Sequence, residues 1–144
     1  MPLVFEHGDL GHPNLLVQAD GRLAVIDWEL AEPAGLPLND LCFFLAYVAS
    51  ARERATSLPD HVAAYERGFL ARDAWARGIL DTAAEEAGIS RELVSPLVTA
   101  TWMRYVLRLP QRTGGAASRV VETRQYAFWE RSLVNAPTPS GARI

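Results

Sequence analysis

Residues 7–27 read HGDLGHPNLLVQADGRLAVID, and this stretch decides the fold of the N-terminal part of the chain. It contains two short apolar runs, residues 15–18 and 22–26, with Asp20-Gly21 between them. Asp-Gly between apolar runs favours a β-hairpin, because a tight type I′ turn needs positive φ at both central positions. The sequence therefore predicts two short antiparallel strands joined at Asp20 and Gly21.

The register of this hairpin predicts a cluster of oxygen side chains. With Asp20 and Gly21 as the two loop residues, Asn14 lies opposite Asp27, and their Cβ atoms are expected roughly 5 Å apart on one face. Asp9 lies in the loop that leads into the first strand. Carboxylate and amide oxygens are ligands for a hard divalent cation, so the spacing predicts a Mg²⁺ site at the open end of the hairpin.

Beyond residue 38 the pattern of apolar residues becomes helical. Asn39 or Asp40 is expected to cap a helix that runs to about Arg54. A second helical region is expected to open at Pro59-Asp60 and to continue, with a break, to Glu86. Gly88 follows as a plausible stop.

The C-terminal part predicts two further helices. The first covers residues 91–107, with Arg104 and Arg108 on one face and an apolar stripe on another, formed by Val98, Trp102, Tyr105 and Leu109. Residues 110–116 are expected to form a loop. The second helix covers about residues 118–134, and its inward residues are expected to be Tyr126, Trp129 and Leu133. Residues 137–144 are expected to be a flexible tail.

Composition bounds the function further. The chain has 144 residues, enough for one domain with a real core. Its 14 basic residues are all arginine, which excludes any mechanism in which a lysine of this chain forms a Schiff base or binds a phosphate. The formal net charge of −3 provides no global basic field for nucleic acid.

The cysteine count and the apolar runs bear on the compartment. Cys42 is the single cysteine and lies in an apolar run, so we expect a buried thiol and no disulfide. No secretory signal pattern starts the chain, and no apolar run approaches the ~20 residues that span a bilayer. The expectation is a soluble cytoplasmic protein without a membrane partner.

Three ordered motifs resemble one family. Residues 7–14 match an H-x-D-x-x-x-x-N catalytic loop, and residues 26–29 (IDWE) stand where protein kinases have D-F-G. Residues 35–41 (GLPLNDL) resemble a G-x-P-x-x-D-L segment. Together they resemble the aminoglycoside phosphotransferase and choline kinase branch of kinase-like phosphotransferases, in detail over residues 5–48.

The resemblance implies a fold and an activity. The fold class is α+β, mainly α: the C-terminal lobe of a kinase-like phosphotransferase over residues 1–136, with the hairpin followed by a helical bundle. The activity is transfer of the γ-phosphoryl group of ATP, or of another nucleoside triphosphate, to a hydroxyl group of a small-molecule substrate.

The resemblance also implies roles for individual residues. Asp9 is the catalytic base, and Asn14 and Asp27 are the ligands of the Mg²⁺ that holds the nucleotide phosphates. Structural support of the site is expected from three residues: His7, which ties down the loop; Trp28, in the core; and Asp40, which anchors the loop from a helix start or is a plain N-cap. Glu29 and Glu32 are candidate contacts for a cationic substrate, although a solvated turn is the simpler interpretation.

The family's N-terminal lobe has no counterpart in this sequence. That lobe supplies a glycine-rich loop, a strand lysine and its glutamate partner. The expected partner is therefore a missing lobe, in cis or from another chain, and the sequence is a gene fragment, a split enzyme or a degenerate relative, the fragment being favoured. The isolated chain is expected to bind Mg·ATP weakly and to turn over no substrate.

Two other classes of function compete with this interpretation. The first is a hydrolase with a transition metal bound by His7, Asp9, His12 and Asp27, since histidine and carboxylate side chains suit Zn²⁺ or Mn²⁺. A non-catalytic binding or scaffold protein derived from the kinase-like fold is the stronger alternative, because of the absent lobe.

Overall fold

The computed structural model describes residues 2–112 and 117–135. The fold is mainly helical, with two small antiparallel sheets near the N-terminus, which is compatible with the α+β, mainly α class. The strands are β1 (Val4–Glu6), β2 (Leu15–Val17), β3 (Leu23–Val25) and β4 (Glu32–Gly35). The helices are α1 (Asn39–Arg52), α2 (Leu58–Tyr65), α3 (Trp75–Glu86), α4 (Val94–Arg112), α5 (Ala117–Val120) and α6 (Arg124–Val134).

The predicted hairpin forms from β2 and β3, but with a different turn. The amide of Gln18 donates to the carbonyl of Arg22 over 2.8 Å, and the amide of Gly21 donates to the carbonyl of Gln18 over 2.9 Å. The loop therefore has three residues, 19–21, and Gly21 is the one with positive φ, 81°. This is a type I turn followed by a left-handed glycine, so the predicted two-residue turn is wrong.

A second sheet was not predicted from the sequence. β1 pairs with β4, with Val4 opposite Gly35 and Glu6 opposite Glu32, and the register shifts between these two pairs. Strands this short carry too few residues for an alternating pattern to show. The sheet matters because β1 leads directly into residues 7–9.

The first two helices begin by different devices. α1 follows Leu38, whose φ of 67° turns the chain, and no side chain caps it, so the expected N-cap at Asn39 or Asp40 is wrong. α2 has the capping box of Ser57 and Asp60: the serine hydroxyl accepts from the amide of Asp60, and the Asp60 carboxylate accepts from the amide of Ser57.

The later helices agree with the pattern except near the C-terminus. A wider π-helical turn, Glu66–Leu70, breaks the second helical region, and Gly88 with φ 67° follows α3. α4 continues to Arg112, past the predicted loop start. The predicted single helix over 118–134 is divided, because the Thr123 hydroxyl caps α6 by accepting from the amide of Tyr126.

The inward face of α6 also differs from the prediction. Phe128 and Ser132 are buried, whereas Leu133 is exposed and Tyr126 and Trp129 are half-buried. The helical spacing of the buried residues was predicted correctly, but the buried face lies about one position away from the predicted one. The Gly114-Gly115 pair and the predicted tail, 137–144, lie outside the described residues.

The core is a cluster of aromatic rings joined by hydrogen bonds. The Tyr65 ring stacks on Phe128 at 4.3 Å between centroids, and Trp102 packs edge-on against both rings. The Trp102 indole donates to the Tyr65 hydroxyl over 2.9 Å, the Tyr65 hydroxyl lies 2.7 Å from that of Ser132, and Ser132 donates to the carbonyl of Phe128. Donors and acceptors balance when Tyr65 donates to Ser132, so the polar side-chain atoms of Trp102, Tyr65 and Ser132 are all satisfied.

Two further expectations concern Cys42 and the membrane. Cys42 is completely buried, as predicted, and burial raises the pKa of its thiol far above the usual range. None of the helices in the described part of the chain is both long enough and apolar enough to cross a bilayer.

Candidate functional site

The loop after β1 is held by one carboxylate. The amides of His7 and Gly8 donate to the two carboxylate oxygens of Asp40, over 2.6 and 2.9 Å. Because Asp40 lies in the first turn of α1, this pair of hydrogen bonds fixes the start of α1 to the residues that precede Asp9. The carboxylate caps the loop instead of its own helix.

His7 occupies a buried position with both ring nitrogens engaged. Its Nδ1 accepts from the amide of Asp9 at 3.3 Å, so Nε2 carries the proton and donates to the carbonyl of Ile26 at 2.8 Å. The ring therefore links the loop to the residue before Asp27. With both nitrogens used in this way, His7 has none left for a metal ion or for proton transfer.

Gly8 is a position that only glycine fits. Its φ is 83°, and a Cβ there would lie 2.4 Å from the carbonyl oxygen of Leu30. The hydroxyl of Tyr105 on α4 donates to the Gly8 carbonyl over 2.9 Å. Burial, together with the negative charges of Asp9 and Asp40, raises the pKa of Tyr105, so this hydroxyl stays protonated as a donor.

Asp9 lies half-buried at a small cavity. Its carbonyl accepts from the amide of Gly11 over 2.8 Å and from the side-chain amide of Asn14 over 2.9 Å. The cavity has a volume of about 110 Å³, and the side chains that line it with Asp9 are Leu30, Phe43, Tyr47, Tyr105, Arg108, Leu109 and Gln125. Asp9 therefore lines a cavity whose other lining residues include aromatic rings and hydrogen-bonding groups.

The register of the hairpin differs by one residue from the prediction. Leu15 pairs with Val25, and the amide of Ile26 donates to the carbonyl of Asn14 over 3.0 Å. Asn14 is therefore opposite Ile26, and the predicted pairing of Asn14 with Asp27 is wrong. The extra loop residue causes the shift, since a three-residue turn moves the partner strand by one position.

Neither Asn14 nor Asp27 lies in a strand. Asn14 ends a short 3₁₀ turn, His12–Asn14, and Asp27 has left-handed backbone angles, φ 64° and ψ 60°. Strand alternation therefore does not decide which way these side chains face. The hydrogen bond from the Asn14 amide nitrogen to Asp9 leaves its Oδ1 as the remaining oxygen, and the Asp27 side chain is exposed.

Trp28 is outside the core, contrary to the prediction. It is 47% exposed, and its indole donates to the carbonyl of Val25 over 2.9 Å. Its ring packs on His7 at 4.7 Å and on Phe5 at 5.8 Å between centroids. Trp28 covers the buried histidine from the solvent side.

A partly buried ion-pair network, centred on the buried carboxylate of Glu6, was not predicted from the sequence. Glu6 is 1% exposed and forms a bidentate pair with Arg104, with distances of 2.7 and 2.9 Å. The Glu6 carboxylate also accepts from the amide of Leu36 over 2.9 Å. Hydrogen bonding to Glu6 is the main cause that raises the pKa of Arg104.

Glu32 completes this network. Its carboxylate lies 3.2 Å from Arg104 and also pairs with Arg108, while Glu29 is exposed. The spacing of Arg104 and Arg108 on one helix face was a signal for such a network, and the acidic residues before and after the hairpin were its partners. Only the three-dimensional contact joins them, because about 70 to 100 residues separate the pairs.

The transition-metal alternative is not supported by the geometry. The described residues contain no group of three His, Cys, Asp or Glu side chains placed to hold a metal ion. His7 uses both ring nitrogens within the protein. His12 packs its ring on Tyr47 at 5.0 Å.

Comparison with protein-family models decides the family. The model described as the phosphotransferase enzyme family matches residues 1–78, which is more than half of the chain. The chain belongs to the phosphotransferase enzyme family. The match is consistent with the aminoglycoside phosphotransferase-like family that the motifs resemble. No curated protein and no solved structure matches the chain.

The part of this phosphotransferase-family chain that matches contains the whole loop network. Residues 7–14, Asp27 and Asp40 all lie within 1–78, whereas Arg104, Tyr105 and Arg108 lie beyond it. The loop of this family member is thus supported from outside the matched region by side chains of α4.

Proposed function

We propose that this chain is the catalytic lobe of an ATP-dependent phosphotransferase that transfers the γ-phosphoryl group to a hydroxyl of a small molecule. The single observation that carries the proposal is the position of Asp9. It lies at a small cavity, in a loop held by Asp40, His7 and Asn14. A base fixed in this way positions a substrate hydroxyl, which is the main contribution that a protein makes to phosphoryl transfer.

In the proposed reaction, the Asp9 carboxylate accepts the proton of the substrate hydroxyl. The hydroxyl oxygen then attacks the γ-phosphorus in line with the bond to the departing nucleoside diphosphate. Tyr105 and His7 act on Asp9 indirectly, through the Gly8 carbonyl and the Asp9 amide. They are positioning residues that keep the carboxylate at the cavity.

Asn14 and Asp27 fit the proposed Mg²⁺ by the chemistry of their oxygens. Asn14 presents Oδ1 because its amide nitrogen is used by Asp9, and Asp27 carries an exposed carboxylate that has no hydrogen bond to another described residue. Protein sites commonly supply Mg²⁺ with one or two side-chain ligands, the rest being water and substrate phosphate. The ion would neutralise charge on the phosphates.

We propose that a nucleotide-binding lobe, in cis or from another chain, covers the strand end of this structure. Large apolar side chains are exposed there: Leu3, Phe5, Leu16, Val17, Leu23, Ile26 and Trp28. All seven lie within residues 3–28, and exposed apolar surface of this extent marks an interaction site. This supports a kinase-like arrangement in which the nucleotide binds between two lobes.

The proposed metal site can be tested with Mn²⁺ as a paramagnetic probe. We expect the 144-residue chain to bind Mn·ATP weakly, and Asp27→Asn to reduce this affinity about tenfold, since a charge-assisted contact is lost. Asp20→Asn is the matched control, because Asp20 is an exposed carboxylate at the other end of the same hairpin. Equal effects of the two substitutions in electron paramagnetic resonance titrations would contradict the metal assignment.

The proposed base is tested in the enzyme completed by its nucleotide-binding lobe. Asp9→Asn is expected to abolish turnover while leaving nucleotide affinity nearly unchanged. A variant that kept most of its rate would show that Asp9 is not the base. Nucleotide binding without turnover by the unsubstituted complete protein, over a panel of hydroxyl-bearing substrates, would favour the non-catalytic alternative.

A further inference from the structure

A second and larger cavity lies beside the C-terminal half of α1. Its volume is about 280 Å³, compared with about 110 Å³ for the cavity at Asp9. Tyr47 lines both cavities, so its ring is part of the wall between them. None of the motif residues assigned to phosphoryl transfer, Asp9, Asn14 and Asp27, lines the larger cavity.

The polar lining of this cavity is basic. Four side chains that are positive or can become so line it: His12, Arg54, His61 and Arg124. No carboxylate of the described residues is among its lining residues. The concentration of basic groups is unusual for a chain with a net charge of −3.

The two arginines of this cavity differ from those near Asp9. Arg104 and Arg108 are both paired with carboxylates, whereas Arg54 and Arg124 have no ion pair with another described residue. Arg124 instead places its guanidinium over the Tyr47 ring, 4.5 Å from the centroid. A guanidinium stacked in this way keeps its N–H edges available for an anion.

His61 lines this cavity together with Arg124. Its Nδ1 lies 2.9 Å from the Ser50 hydroxyl, and its pKa is lowered, first by partial burial and second by the charge of Arg124. The nearby Asp60 carboxylate acts in the opposite direction and does not outweigh these causes. Arg124 thus lies close enough to repel a proton from the imidazole.

Apart from Ser50, the remaining wall of this cavity is apolar. Tyr47, Val48, Ala51 and Ala55 contribute it, from α1 and the residues just after it. Small side chains at positions 51 and 55 leave the room that the cavity occupies. A ligand bound here would therefore meet arginines at one part of its surface and hydrocarbon at another.

We propose that this cavity binds a small anionic amphiphile, a carboxylate or phosphate group carried on an apolar body. The anion would lie at Arg54 and Arg124, and the apolar body would pack on Tyr47, Val48 and Ala51. At about 30 Å³ for each water-sized group, the cavity holds on the order of ten non-hydrogen atoms. The cavity volume is near the lower end of the range that is usual for small-molecule sites. The proposal is independent of the phosphotransfer reaction.

The probe for the test is phenyl phosphate, with benzyl alcohol as a neutral analogue of similar shape. In NMR titrations of the 144-residue chain, without nucleotide or metal, phenyl phosphate is expected to shift the signals of the His61 ring and the Val48 methyls. Its affinity is expected to exceed that of benzyl alcohol at least about tenfold, since hydrogen bonds to charged groups are the strong ones. This comparison needs no substitution.

Substitutions then assign the charge. Arg124→Gln and Arg54→Gln are each expected to reduce affinity for phenyl phosphate about tenfold, while Arg22→Gln, in the exposed hairpin loop, leaves it unchanged. Equal affinities for the two probes would overturn the proposal. So would shifts confined to the methyls of Leu30 and Leu109, which line the Asp9 cavity instead, or an unchanged affinity in Arg124→Gln.

Discussion

Replacing Arg104 with methionine removes the partner of the most deeply buried carboxylate described in the structure. Methionine keeps much of the length of the arginine stem and removes the charge and the donors. Glu6 is 1% exposed, and without Arg104 it retains a single hydrogen-bond donor, the amide of Leu36. The charge cannot reach water and is no longer compensated.

The expected loss in the free energy of unfolding depends on which hydrogen bonds and ion pairs the remaining partner keeps. Loss of one member of a buried ion pair destabilises a protein by about 3–5 kcal/mol, and we expect Arg104→Met to fall in this range. Glu6→Gln should cost less, about 1–3 kcal/mol. Arg104 is 20% exposed and still has Glu32 at 3.2 Å, so its charge remains partly compensated.

The assay is urea unfolding followed by tryptophan fluorescence and far-ultraviolet circular dichroism. The two single variants and the double variant form a cycle, and we expect a coupling energy of about 1–3 kcal/mol between the partners. Arg22→Met is the control, since the Arg22–Asp20 pair is exposed and should contribute less than about 1 kcal/mol. If Glu6→Gln costs as much as Arg104→Met, the ordering drawn from burial is wrong.

Three other outcomes follow from the core and from the basic cavity. Tyr65→Phe should lower the free energy of unfolding by about 1–3 kcal/mol in urea unfolding, because the buried Trp102 indole loses its acceptor. Cys42 should react with a thiol reagent only as fast as the protein unfolds, since burial both hides the thiol and raises its pKa. The His61 imidazole should titrate below its ordinary pKa in NMR spectra, and Arg124→Gln should raise that pKa without restoring it fully, because burial is the larger cause.

Each of these three predictions can be contradicted by a specific result. An unchanged stability in Tyr65→Phe would mean that another acceptor or water satisfies the indole. Labelling of Cys42 under native conditions, much faster than global unfolding, would show local opening of α1. A His61 pKa that falls in Arg124→Gln would have the wrong sign for a positive neighbour.

Local signals predicted the elements well, and long-range contacts decided the geometry. The helices, the hairpin and the buried Cys42 followed from periodicity and from a single Asp-Gly pair. The register of the hairpin could not be predicted in this way, because both two-residue and three-residue turns accept an Asp-Gly pair. One extra loop residue moved Asn14 from Asp27 to Ile26.

For the candidate site, too, the motif residues could be predicted from the sequence and the long-range contacts could not. The motif located Asp9, Asn14, Asp27 and Asp40 in the chain, and the match over residues 1–78 confirms the family. The sheet of β1 and β4 and the Glu6–Arg104 pair could not be predicted, since their members are far apart in sequence and each alone is an ordinary charged residue or short apolar run.

The two hydrogen bonds from the loop to Asp40 also have a kinetic consequence. The amides of His7 and Gly8 are held by a side chain of α1 and by neither a strand nor a helix of their own. They can exchange their hydrogens with solvent only when the start of α1 separates from the loop. Their exchange rates relative to the α1 amides therefore measure how often the loop that carries Asp9 separates from α1 while the helix itself stays folded.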